Sequence, residues 1–183
     1  MAAEFIVEIC DWTPEWAAEF RVRAAALRQA LGEWALRIDH IGSTSVEGLA
    51  AKPIVDIQVS IAEFEPMDAL VQAMAAAGYV WRADNPELTK RYFRETAGAK
   101  RCHVHIRLAG AWNEQWALLF RDYLRTHPAA AADYEAVKRA LAAEHAHDRH
   151  TYTEAKADFL WATIREADAW AGEVGWRPRV SDG

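Results

Sequence analysis

The stretch "HIGSTSVEGLAAKPIVDIQVSI", His40–Ile61, places a polar, glycine-flanked turn between two apolar runs. In the second run Val55, Ile57, Val59 and Ile61 share one face, and Ile54, Asp56, Gln58 and Ser60 share the other. That period of two predicts a strand with one face committed to a core. The first run, inside "ALRIDHI", reads as the strand that delivers the chain to the turn. Within the turn, Gly42 lets backbone approach a ligand closely. Ser43, Thr44 and Ser45 supply hydroxyls fit for capping or binding, and free amides at such a start attract anions. It is no Walker loop, because Gly48 is followed by Leu49 rather than by Lys-Ser or Lys-Thr. Lys52 stands just before the strand, within reach of a phosphate. A capped turn and a phosphate-holding turn both remain open on these residues.

A second strand, "RCHVHIRL" (Arg101–Leu108), alternates as strictly. Cys102, Val104, Ile106 and Leu108 face one way; Arg101, His103, His105 and Arg107 face the other. With the apolar side in the core, two histidines between two arginines form an anion-binding surface, a general-base site or a solvated outer face. If both polar faces lie side by side in one sheet, Asp56 and Gln58 come near His103 and His105. A carboxylate would then orient an imidazole or share a metal with it.

Outward from these strands, "FIVEIC" (Phe5–Cys10) reads as a first strand. A helix follows, with Thr13 as cap, Pro14 at its first position, and Trp16, Phe20, Ala24, Leu27 and Leu31 at helical spacing up to Gly32. "PMDALVQAMAAAG" predicts a helix between Pro66 and Gly78, and "YVWR" and "TKRYFRET" predict strands. From Asn113 the chain reads as three helices: "NEQWALLFRDYLRTH", one from Pro128, and "YTEAKADFLWATIREADAWAGEV". A loose tail, "RPRVSDG", closes it. The pattern is one α+β domain over 1–183, with a sheet in 1–110, a helical cap in 111–175 and the tail in 176–183.

Composition bounds the function. The 183 residues are 52% hydrophobic and 26% charged, with no run of the ~18–20 apolar residues that a membrane span needs. No basic segment precedes an apolar run at the N-terminus, so no signal peptide is expected. Two cysteines form no disulfide framework, and a cytoplasmic location follows. A net charge of −6 argues against general nucleic-acid binding but leaves room for a locally basic pocket. The nine tryptophans read mostly as packing. His145, His147 and His150 in "HAHDRH" read as a solvated helix end rather than a metal site. Arg121 and Arg125 read as a solvated face or as a basic wall over the sheet.

The opening block resembles the signature of the GrpB-like family, with Glu47 where that signature has proline. "HVHI", "FRDYLRTHP", "YEAVKRALA" and "YTEAKADF" resemble the family's later blocks, so the resemblance spans nearly the whole chain. It implies the nucleotidyltransferase type of fold, with a small mixed, mostly antiparallel sheet. It also implies kinship with a domain fused to some dephospho-CoA kinases. In that superfamily a Gly-Ser pair contacts the triphosphate, and acids at alternate strand positions bind two metals. Gly42, Ser43 and Asp56 match; Gln58 stands at the second acid, and His103 and His105 stand where a third is sought. Two Mg²⁺ ions ~3.5–4 Å apart need bridging carboxylates; one acid with imidazoles suits a single divalent ion, Mn, Zn or Mg, or none. The resulting expectation is a site that binds, and transfers or hydrolyses, a phosphorylated small molecule such as a nucleotide or CoA precursor. Asp56, His103 and His105 would act as base or metal ligands. His40, Gly42, Ser43, Thr44, Ser45, Lys52, Gln58, Arg91, Arg94, Arg121 and Arg125 would hold the ligand. A non-catalytic binding or protein-interaction module on the same fold is the alternative, and the oligomeric state is unread.

Overall fold

In the computed structural model, residues 6–183 are described. Five strands, β1 (Arg37–Ile41), β2 (Val55–Ile61), β3 (Tyr79–Trp81), β4 (Lys90–Glu95) and β5 (Cys102–Leu108), form one sheet in the order β1-β2-β5-β4-β3. All neighbours are antiparallel except β2 and β5, which run parallel with Asp56 opposite His103 and Gln58 opposite His105. A parallel pair needs a long crossover, and α2 (Met67–Ala76) with the β3–β4 hairpin provides it. The α+β architecture read from the sequence is the one observed.

The alternation of β2 and β5 decides which face is packed. Ile57, Val59, Ile61, Val104 and Ile106, with Phe93 from β4, meet Phe20, Ala24 and Leu27 of α1 (Glu15–Leu31) and Leu70 and Met74 of α2. The polar face is roofed by α3 (Trp112–Thr126), α4 (Pro128–Glu144), α5 (Arg149–Glu154) and α6 (Ala157–Val174). Helices α3, α4 and α6 share a second core of Leu119, Phe120, Tyr123, Tyr134, Ile164 and Ala167, into which the turn sends Val46 and Leu49. Six of the nine tryptophans pack in or against the two cores, while Trp112 and Trp161 are exposed.

The roof is tied to the sheet at Arg121, whose side chain is fully buried. Its Nε donates to Asp122 Oδ1 at 2.9 Å, and its Nη1 reaches Asp39 Oδ1 at 3.4 Å, the His40 carbonyl at 3.2 Å and Asp182 Oδ2 at 2.7 Å. Arg121 is therefore neither a solvated cation nor a wall over the ligand site: three carboxylates consume it.

Other expectations are corrected beside it. The tail is docked: Ser181 Oγ accepts from the Ile38 amide and donates to the Ile38 carbonyl, both at 2.8 Å, and Asp182 Oδ2 accepts from the His40 amide at 3.1 Å. The free edge of β1 supplies those backbone groups, a contact that composition alone does not announce. The expected first strand reduces to a single bridge from Cys10 to Ala51, and Phe5 lies outside the described residues. The last predicted helix is broken into α5 and α6, with Asp148 capping α5 through Thr151. Replacing Arg121 with methionine strands its buried carboxylate partners, and we expect a loss of ~3–5 kcal/mol. Asp182→Ala, at a partly exposed partner, is expected to lose ~1 kcal/mol. Urea unfolding of both variants checks the order.

Candidate active-site cleft

Where α3 ends its cover, the polar face opens into a cleft of about 420 Å³ between the turn, β2, β4, β5 and helices α4 and α5. Asp56 sits in its floor. One oxygen, Oδ1, accepts from His103 Nδ1 at 3.1 Å and His105 Nε2 at 3.4 Å. Burial would raise the Asp56 carboxyl, but the two histidine hydrogen bonds outweigh it and hold it well below the usual carboxylate range. Burial lowers His105, with Asp56 pulling the other way. An ionised carboxylate only accepts, so the ring nitrogens facing it carry protons. His103 Nε2 and His105 Nδ1 are buried without a partner within the protein. The ring of Tyr92 stands 5.6 Å from that of His103 and 5.3 Å from that of His105, restricting both imidazoles.

Gly42 shapes the other wall. With φ +72° and ψ −177° it occupies backbone space that side-chain-bearing residues avoid, and a Cβ there would lie 2.9 Å from Asp56 Oδ2. The glycine makes room first for the acid. Ser45 Oγ donates to the Gly42 carbonyl at 2.6 Å, and Thr44 Oγ1 lies 2.9 Å from His40 Nε2. These two hydroxyls hold the turn, while Ser43 faces the cleft beside Tyr134. His40 is buried on the core face, its ring stacked on Phe20 at 4.8 Å. Burial, with Arg125 nearby, lowers it to about 3, so it props the turn as a neutral ring.

Several expected ligand-holding residues stand elsewhere. Gln58 is fully buried under α3, with Nε2 donating to the Glu114 carbonyl at 3.2 Å. Arg91 projects from the opposite face of the sheet, over the Phe64 ring at 4.0 Å. Arg94 shares the cleft face beside His103, but its Nη2 pairs with Glu95 at 2.8 Å. Arg125 donates to the Ser45 carbonyl at 3.0 Å and lines a separate cleft behind the turn. Lys52 is in the main cleft, its Nζ 4.8 Å from the centre of the Tyr152 ring, and burial lowers it to about 8.

The helices bring what the sequence reading missed. Lys138 and Lys156 line the cleft, each above the ring of the tyrosine four residues earlier: Lys138 is 4.6 Å from the Tyr134 ring and Lys156 4.5 Å from the Tyr152 ring. Burial lowers Lys138 to about 7 and also lowers Lys156. The signal was on the page as a repeated Tyr-x-x-x-Lys, in "YEAVKRALA" and "YTEAKADF". Glu135 of α4 accepts from the Ala50 amide and Lys138 donates to the Ala50 carbonyl, which fixes the turn's exit against this helix. Lys90, ion-paired to Glu87 at 2.6 Å, and Arg149 also line the cleft, and Asp56 is the single acid among the described residues that do. Chemically, the arrangement suits an anion held beside a carboxylate–imidazole group. Asp56, His103 and His105 each offer one ligand atom, all within 4.8 Å of one another, which fits one metal ion and not a carboxylate-bridged pair.

The fold is that of a known family. The family model described as "GrpB protein" matches residues 6–166, and the chain belongs to that family. It is similar to the solved GrpB structure from Enterococcus faecalis, with a TM-score of 0.81 and 36% identity over 89% of this chain and 99% of that one. It is 39% identical to UPF0157 protein SCO7215 of Streptomyces coelicolor over 89% of this chain and 85% of that protein. UPF0157 protein YqkA of Bacillus subtilis is 34% identical over 90% of this chain and 48% of its own length. A protein named dephospho-CoA kinase from Mycolicibacterium paratuberculosis is 36% identical over 90% and 47%. The chain thus spans about half the length of the last two. No helix among the described residues is long and apolar enough to cross a membrane.

Gly42→Ala forces both backbone strain and displacement of Asp56. We expect a loss of ~1–3 kcal/mol in chemical unfolding and a changed histidine environment, read from the His103 and His105 ring signals by NMR.

Proposed function

We propose that the cleft binds a phosphorylated small molecule, a nucleotide or CoA precursor, and that Asp56 with His103 and His105 acts on it. The observation that carries this reading is the convergence of three lysines, Lys52, Lys138 and Lys156, on one carboxylate, Asp56, in the cleft. Such a site is incomplete without an anionic partner. Gly42 and Ser43 ahead of a strand bearing Asp56 support a nucleotidyltransferase-type arrangement. Similarity to proteins named dephospho-CoA kinase supports a CoA-related ligand, over the half of those chains that matches. Asp56, His103 and His105 would hold a single Mn²⁺ or Zn²⁺ ion more readily than Mg²⁺, because imidazole suits those ions. A second reading, a binding module without turnover, is favoured by the burial of Gln58 where a further metal-binding acid was sought.

A melting-temperature panel of nucleotides and CoA precursors, with and without Mn²⁺, Zn²⁺ and Mg²⁺, tests the reading. A shift of several degrees with a phosphorylated ligand supports it, and no shift with any defeats it. Asp56→Asn then separates the two versions. In an enzyme, product formation falls at least ~10²-fold, the scale of a lost general base; in a binder, affinity changes little.

The lysines set a pH dependence. Lys138 at about 7 and Lys52 at about 8 lie below the ~10.4 of an unfolded lysine. The unfolded chain therefore holds more protons across that window, and these groups make the empty protein more stable as pH rises through it. A bound phosphate reverses the preference, since it stabilises the charged lysines. A phosphate monoester gains its second charge near ~6. Affinity is expected to peak between that value and the Lys138 and Lys52 values, then fall as pH passes them. Calorimetric titration across this range, in two buffers of different ionisation enthalpy, should show proton uptake on binding.

A further inference from the structure

We propose that the ligand carries a planar aromatic ring besides its phosphate, and that the ring lodges in an apolar side chamber of the cleft. This rests on the phosphate reading above and narrows its substrate class. The chamber, about 220 Å³, is walled by Trp116, Phe120 and Leu160, with Ala117 and Ile41 in its lining. It adjoins the cationic cleft, for Gly42, Ser43, Asp56, His105 and Tyr134 line both.

The two ends differ in chemistry. Lys52, Lys138 and Lys156 line the cleft and none of them lines the chamber. The chamber's one cation, Arg107, is ion-paired to Glu87 at 2.9 Å. Its aromatic walls are already braced. Trp116 lies parallel to Phe120 at 5.2 Å, Phe120 meets Tyr134 edge-on at 5.6 Å, and Tyr134 stacks on Phe159 at 5.3 Å. Flat, preset aromatic surfaces favour a flat aromatic guest over a hydroxylated sugar, and the lining's unpartnered His105 Nδ1 and Arg107 Nε offer polar contacts to the edge of such a ring. A ligand spanning both ends places the link between its phosphate and its ring-bearing part beside Asp56 and His105. The ligand class is a phosphate ester or anhydride of an alcohol bearing an aromatic ring; inorganic phosphate and simple sugar phosphates fill only half of the site.

Calorimetric titration with inorganic phosphate, ribose 5-phosphate and 1-naphthyl phosphate tests this. The wild-type protein is expected to bind 1-naphthyl phosphate at least tenfold more tightly than ribose 5-phosphate. Ala117→Phe, which fills the chamber, should erase that gain while leaving inorganic phosphate binding unchanged. Trp116→Leu, which removes a stacking wall without filling space, should reduce it, and melting curves establish that each variant is folded. Equal affinity for the two esters, or a full gain persisting in both variants, overturns the chamber assignment. If inorganic phosphate binds and the ring adds nothing, only this inference falls. If no probe binds the wild-type protein, the phosphate reading falls and the chamber assignment with it.

Discussion

One buried guanidinium decides how the two layers of this protein meet. Arg121 of α3 is held by its neighbour Asp122, by Asp39 and the His40 carbonyl of β1, and by Asp182 of the tail. These partners come from three stretches of chain, α3 itself, β1 and the tail, and a buried carboxylate among them does not tolerate its charge alone. Asp39 is held further by Arg37, through bonds of 3.0 and 2.9 Å, and Asp122 by the Trp176 indole at 3.2 Å. The network pins the C-terminal half of α3 against β1, and that placement helps fix where the polar face is covered and where it stays open.

The consequence is a gradient along a single strand. Asp56, Gln58 and Ser60 point to the same side of β2, yet only Asp56 opens to the cleft. Ser60 donates to Glu114 Oε1 at 2.7 Å and Gln58 donates to the Glu114 carbonyl, so the start of α3 uses both. A second carboxylate at position 58 would face that carbonyl, acceptor against acceptor. The amide is the side chain that this roof accepts. At position 58 the packing of α3 takes an amide, and Asp56 stands beside two imidazoles rather than beside another acid.

Much of this was written in the local sequence. The alternation in β2 and β5 announced their faces, and the parallel register then brought Asp56 to His103 and His105 without further instruction. Residues whose roles depend on a distant element were misread. Arg121 and Asp182 look like surface charges, because nothing near either one names its partner. Arg91 and Arg94 are three apart on an alternating strand, so they had to fall on opposite faces; grouping them ignored a period that was in plain view. Lys138 and Lys156 were overlooked because a tyrosine and a lysine four apart on a helix ordinarily describe a surface. Only the turn's exit at Ala50, bound through both its amide and its carbonyl by α4, brings that face over the sheet.

The same lysines explain why the cleft is poised rather than merely positive. Lys52 and Lys156 lie against one ring, that of Tyr152, and each lowers the affinity of its neighbours for a proton as burial does. Asp56 compensates only in part, since its charge is already engaged by two imidazole N–H groups. An unliganded cleft therefore relieves repulsion by releasing protons from its lysines. The one carboxylate that the turn glycine leaves room for thus sits among lysines whose hold on their protons burial has weakened.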